Sequence, residues 1–270
     1  MVTLPTPQGG AAHRRRDVAE GFGENADAYD RARPRYPDAL AEAVVSTLPG
    51  RSIVDVGIGT GLSALPFRDA GCTVLGVEPD ARMATIARRR GFAVEEARFE
   101  DWDPHGRLFD GIISGQTWHW IDPIAGATKA ADTLVLGGRL VLFWNAGDPP
   151  ADVAKAFGEI YESIDTGLPF TPWAPGTSAA AGYSRGLDAT ADSIAATHRF
   201  GEPERLRFDW QATVSRDDWA LQVPTVGGHN LIPQAKLNQL VTRMSNHIDS
   251  LGGSFTMNYS TVALTIPRIS

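Results

Sequence analysis

Residues 53–61 read IVDVGIGTG. A short apolar run followed by three alternating glycines constrains this chain more than any other stretch. The run is predicted to be a buried strand. The glycines are predicted to form the tight turn by which that strand enters a helix, with a backbone open to a ligand. Such turns belong to parallel sheets covered by helices on both faces. RSIVDVG, CTVLGVEPD, AVEEARF, LFDGIISGQ and RLVLFWN are predicted as five successive strands. Between them TGLSALPFRDAG, ARMATIARRRG and IDPIAGATKAADTLVLGG are predicted as helices, the first kinked by Pro66. The second ends in basic residues and a glycine, as the helix dipole and the C-terminal cap favour.

The flanks complete the plan. Residues 1–20 are expected to be a flexible tail, and residues 21–147 a ligand-binding core with an N-terminal lid. In the lid, VAEGFGENADAYDRARPRYP is predicted as a short helix stopped near Pro34 and Pro37. DALAEAVVSTL follows as a helix capped by Asp38. Residues 148–205 are expected to be an insertion, with DPPADVAKAFGEIYESID helical and TGLPFTPWAPGTSAAAGYSRG a loop or lid. Residues 206–270 return to the sheet through the strand RLRFDWQATVS, the helix LNQLVTRMSNHIDSLG and the strand FTMNYSTVALTIPR. The fold class is therefore α/β: a Rossmann-like doubly wound sheet of seven strands, mostly parallel, the last antiparallel.

The glycine spacing separates the possible ligands. A dinucleotide turn, G-x-G-x-x-G, would need glycine at Leu62, and a phosphate loop would need a lysine after its last glycine. Neither is present. Asp55, two residues before Gly57, would repel a pyrophosphate and suits an ammonium group. Glu78, 17 residues after Gly61 at the end of the second strand, suits the two hydroxyls of a ribose. A ligand with a ribose, an amino-acid tail and no pyrophosphate is S-adenosylmethionine.

Those residues resemble the class I S-adenosylmethionine-dependent methyltransferases. VDVGIGTG is similar to their first motif and GVEPD to their second, while ARFEDWD sits where the adenine contacts belong. FDGIISGQTWHWID, LGGRLVLFWN and YDRARPRYP resemble a small-molecule subgroup that includes trans-aconitate methyltransferase-like proteins. The likeness covers residues 22–147 well and the remainder only as a general plan.

The resemblance implies the following roles. Gly57, Gly59 and Gly61 admit the methionine part of the cofactor, Asp55 sits under its ammonium directly or through water, and Glu78 with Pro79 holds the ribose. Phe99 and Glu100 lie at the adenine. Arg98 stands where relatives often carry an acid, so Glu100 or Asp101 is left for the adenine amino group. Tyr29 and Arg33 belong to the lid, and Arg33 suits the methionine carboxylate, with Arg31 and Arg35 as alternatives. Gln116 closes the site after the fourth strand.

His119 in QTWHW is the candidate general base, and His229 in VGGHN a second. A carboxylate acceptor would need no base. Trp118, Trp120, Trp144 and Trp173 are candidates for an aromatic acceptor pocket, or for core packing.

Composition bounds the partners. The net charge of −7 disfavours nucleic acid. One cysteine, Cys72, allows no internal disulfide and no multi-cysteine metal site. With no H-E-x-x-H, no metal is expected. No run reaches about 18 apolar residues, so no membrane span is expected, and the N-terminus lacks a signal-peptide core. The expectation is a cytoplasmic monomer or homodimer moving a methyl group to a hydroxyl or carboxyl oxygen of an acid, phenol or sugar. Rival readings are a sugar-directed methyltransferase, a non-catalytic cofactor binder and a nicotinamide-dependent reductase.

Overall fold

The computed structural model describes residues 13, 23, 26–168, 172–173 and 178–270. Apart from residue 13, the expected tail at 1–20 lies outside the described residues, as do 169–171 and 174–177 of the expected lid.

Seven strands form one sheet in the order β3-β2-β1-β4-β5-β7-β6. They are β1 (Ser52–Val56), β2 (Thr73–Val77), β3 (Ala93–Glu95), β4 (Phe109–Gly115), β5 (Leu134–Asp148), β6 (Glu204–Ser215) and β7 (Ser254–Pro267). The first five run parallel. β7 lies antiparallel between β5 and β6, so the expected antiparallel last strand is present. β1 pairs with both β2 and β4, and there the winding reverses. Such a reversal opens a crevice at the carboxyl ends of the strands, where ligands bind in open α/β sheets.

Nine helices are described: α1 (Ala26–Ala32), α2 (Asp38–Val45), α3 (Leu65–Asp69), α4 (Ala81–Arg89), α5 (Pro123–Thr133), α6 (Ala151–Glu162), α7 (Ala179–Ala195), α8 (Arg216–Gln222) and α9 (Gln234–Ser250). Side-chain alternation along the central strands sends apolar groups to both faces. Ile53, Ile113, Val141 and Phe143 meet α2, α3 and α4 on one face. Val54, Ile112, Leu140 and Leu142 meet α5 and α7 on the other. A third core lies where β6 and β7 run on past the parallel strands, with α6, α8 and α9 closing over Phe157, Trp219, Leu240 and Phe255. Phe143 is fully buried between Tyr36 and Phe67. Phe143→Ala should cost about 3–5 kcal/mol, read as a lower urea midpoint with little change in slope.

Three local expectations are corrected. Pro66 begins α3 instead of kinking a longer helix; its missing N–H costs nothing in a first turn. Asp38 sits inside the first turn of α2, and the cap residue is Pro37. The C-terminal part of the expected loop at 166–186 is helical, since α7 occupies Ala179–Ala195. Its Gly182 and Gly186 face open space, while Ala180, Leu187, Ala191 and Ile194 provide a buried stripe. Among the described residues no helix is long and apolar enough to cross a membrane.

Candidate functional site

A pocket opens at the carboxyl ends of β1, β2 and β4, with the lid helix α1 on its rim. Its floor is the glycine turn. Gly57 has φ +67° and Gly59 φ +56°, in the left-handed region that other residues enter at a cost. A Cβ on Gly57 would stand 2.2 Å from Thr117 Cγ2. Gly57 N–H donates to Val77 O at 2.8 Å, tying the turn to the end of β2.

Glu78 follows β2 and lines the pocket. Gly59 N–H donates to its Oε2 and Asp80 N–H to its Oε1, each at 2.9 Å. Two backbone donors thus fix the carboxyl group while each oxygen retains acceptor capacity. Burial lifts its pKa to about 7 against the pull of those N–H groups. Asp55 is fully buried behind the turn and is not on the pocket wall. Its Oδ2 accepts from Ser63 Oγ at 2.6 Å, and Ser63 and Thr60 reach the pocket. Direct contact of Asp55 with a ligand is therefore not what this arrangement offers: the residue is set back from the wall, where it orients Ser63. Burial raises its pKa to about 8, with Glu78 adding to the rise and the Ser63 bond opposing it.

Both carboxyl groups titrate above their unfolded values of about 4. Between those values and their folded ones, the folded chain holds protons that the unfolded chain releases. Stability therefore falls as pH rises through that window. Burial lowers His119 and His229 to about 4, which adds stability as pH rises but only to about 6.5. From about pH 6.5 to about 8 the carboxyl groups act alone among these four. The melting temperature of the ligand-free protein should fall across that range, and Asp55→Asn should flatten the slope. A rise in the unmodified protein would contradict this assignment.

Pro79, Phe99, Glu100, Gln116 and Trp120 line the pocket. Phe99 is held from behind by Trp102 and Trp118. Glu100 Oε1 accepts from Asp122 N–H at 3.1 Å, so this residue also fixes the turn before α5. Arg98 is on the wall as well. Gln116 has φ +58°, an uncommon value for a side-chain-bearing residue that is often found at functional sites. Its Nε2 donates to Asn145 O at 3.0 Å.

The segment from α1 to Tyr36 is fastened at several points. Arg33 donates to Thr225 O and lies 4.6 Å from the Tyr29 ring centroid. Arg90 pairs with Asp30 at 2.6 Å. Asn145 donates to Arg35 O at 3.1 Å and accepts from Thr261 Oγ1 at 2.6 Å. Tyr29, Arg33 and Tyr36 all line the pocket. Asn145, Tyr36 and Thr60 were not singled out from the sequence. All three lie inside the quoted motifs, but Asn145 is tied to Arg35 and to Thr261 of β7, contacts no local pattern encodes.

Several expected site residues fall elsewhere. Gly61 is not on the pocket wall; a Cβ there would meet Phe92. Trp118 is buried in the core beside Phe99. Trp173 packs on Phe157, Tyr161 and Trp219 in the third core. Trp144 is buried and donates from Nε1 to His119 Nδ1 at 3.3 Å. Of the four tryptophans, only Trp120 lines the pocket. His229 is fully buried, with Nδ1 2.6 Å from Val223 O and Nε2 3.0 Å from Tyr161 Oη. A carbonyl only accepts, so Nδ1 carries the proton and Tyr161 donates to Nε2. Both nitrogens are committed to fastening the 223–229 loop to α6, which corrects the expectation of a base on an acceptor-side loop.

The residues present fit a nucleoside with an amino-acid tail. The glycine cradle leaves no room for a Cβ at Gly57, Glu78 presents oriented oxygens, and Thr60 Oγ1 is buried with no hydrogen-bond partner among the described residues.

Comparison with known proteins agrees with this geometry. An uncharacterised methyltransferase of Mycobacterium tuberculosis is 34% identical over 156 residues, 54% of this chain and 60% of that protein. A candidate type II methyltransferase from Anaeromyxobacter dehalogenans superposes with TM-score 0.61 at 16% identity, covering 87% of this chain and 97% of that one. A phosphoethanolamine N-methyltransferase from Haemonchus contortus, solved with phosphomonomethylethanolamine and S-adenosylhomocysteine, superposes with TM-score 0.51 at 13% identity, covering 98% of this chain and 61% of that one. The family model for the methyltransferase domain matches residues 27–244, from the lid helix through most of α9, and the chain belongs to that family.

Proposed function

We propose that this chain transfers a methyl group from S-adenosylmethionine to a hydroxyl or carboxyl oxygen of a small organic acceptor. The observation that carries the reading is the Glu78 carboxyl group, oriented by Gly59 and Asp80 beside a glycine cradle at the reversal of the sheet. The family and the S-adenosylhomocysteine held by the Haemonchus relative support the cofactor. When bound, the cofactor supplies a methyl group already activated on a sulfonium. Glu78 would take the ribose hydroxyls, Gly57 and Gly59 the methionine backbone, and Arg33 its carboxylate. Phe99 and Trp120 would enclose the adenine and exclude water.

Two phenols, Tyr36 and Tyr183, stand on the pocket wall and against Gln116. Tyr183 Oη reaches Gln116 Oε1 at 3.5 Å, and burial together with neighbouring Tyr29 and Asp55 holds the Tyr36 phenol well above its usual pKa. Neutral donors suit an oxygen acceptor better than an ammonium. Trp118 and Trp144 are buried and Trp173 is partly buried against the third core, so of the four candidate tryptophans Trp120 alone is offered to a sugar ring at this pocket.

The test is transfer of labelled methyl from S-adenosylmethionine to a panel of carboxylic acids, phenols, amines and sugars. Label on acids or phenols is expected. Label on amines alone, or binding without turnover on any panel member, would contradict the reading.

A further inference from the structure

His119 sits in the one-turn helix Trp118–Trp120 that follows β4, between Thr117 and Trp120 of the pocket wall. Trp144 Nε1 points at its Nδ1 from 3.3 Å. An indole N–H can only donate, so Nδ1 is the acceptor and its lone pair is taken. A neutral imidazole carries one proton, which must then sit on Nε2. That nitrogen is buried and, among the described residues, meets no hydrogen-bond partner. Buried donors are nearly always satisfied, and each exception calls for an explanation. The ring lies 4.6 Å from Trp120, and Trp144 stacks on Tyr183, which reaches Gln116. His119 itself is not on the pocket wall; its unsatisfied N–H stands one layer behind it, flanked by Thr117 and Trp120, which are.

We propose that His119 is held by Trp144 as a fixed Nε2–H donor that grips an oxygen of the methyl acceptor, and that it is not the general base. Burial alone keeps the ring neutral, lowering its pKa to about 4. This rests on the methyl-transfer reading and narrows it. With no lone pair offered by His119, the acceptor oxygen arrives already ionised, as a carboxylate does. An oxygen–carbon bond forms, the carbon–sulfur bond breaks with its electron pair passing to sulfur, and no proton moves. The Nε2–H donates to the acceptor's second oxygen or to a neighbouring one.

The first test needs neither acceptor nor cofactor. Isotope-edited nitrogen NMR of the histidine rings, with His119→Gln used to identify the signal, should show the Nε2–H tautomer unchanged from about pH 5 to about pH 8. An Nδ1–H tautomer, or a ring titrating near its usual value, would overturn the proposal. Trp144→Phe removes the lock and should let the ring sample both tautomers; an unchanged ring would also overturn it. In turnover, His119→Gln keeps a donor but can never act as a base. It should stay within about tenfold of the unmodified kcat/KM, while His119→Ala should lose about 10- to 100-fold, the range for a hydrogen bond to a charged group. Equal losses in the two variants would restore His119 as the base. Binding of S-adenosylhomocysteine, measured separately, decides the cofactor reading, so the two claims fail independently.

Discussion

Glu78→Ala is expected to lose about 100-fold or more in affinity for S-adenosylhomocysteine while the fold survives. A hydrogen bond to a charged group contributes about 1.5–3 kcal/mol, and the side chain is placed to make one with each ribose hydroxyl. Removal also strands the N–H groups of Gly59 and Asp80, which now donate to the carboxyl oxygens. The glycine turn would lose its register with the end of β2. Glu78→Gln keeps the shape but turns an amide NH2 toward one of those donors, so it should rescue little. The same residue sets a pH dependence. Its pKa of about 7 in the ligand-free protein means that the accepting form is lost as pH falls below that value. Affinity should then weaken by up to about tenfold per pH unit. A Glu78→Ala variant that binds within threefold of the parent would remove the residue from the site.

Gly57→Ala should cause a large structural loss for one added methyl group. Two costs add. A left-handed φ of +67° costs an alanine about 1–2 kcal/mol. The new Cβ would press on Thr117 at 2.2 Å from Cγ2, and such overpacking costs about 1–3 kcal/mol. Thr117 cannot retreat freely, because its Oγ1 stands 3.1 Å from Gly115 O and 3.3 Å from Gly57 O and donates to one of them. The expected result is a melting temperature lower by several degrees, together with loss of S-adenosylhomocysteine binding. Gly182→Ala is the control. Gly182 lies inside α7 with open space at its Cβ position, so alanine there should stabilise by up to about 1 kcal/mol. Equal effects at the two positions would mean that the turn is not strained as described.

The parallel half was legible because its signals are local. Buried strands read as apolar runs, and the glycines after β1 encode a backbone state that few other residues accept. The site was legible as far as those strand ends carry it: Glu78, Phe99, Gln116 and the lid residues Tyr29 and Arg33 do meet at one pocket. The errors have a common origin. Whether Trp118, Trp144 or Trp173 faces a ligand or a core depends on helices that pack from far away in sequence, and an aromatic residue suits either setting. α7 was hidden because glycine, serine and tyrosine around 182–184 weigh against a helix, while the stripe that stabilises it is buried on β5 and β7. Asp55 and His229 were hard to place for the same reason. Their residue type suggests chemistry, yet register and burial turned both into internal ties.

Calorimetric titration with S-adenosylhomocysteine, with NAD as the control, tests the central claim most directly. Micromolar binding of the first and none of the second is predicted. A folded sample that ignores S-adenosylhomocysteine, or that binds NAD instead, would contradict the assignment of the glycine turn and Glu78 to a methyl-donor nucleoside.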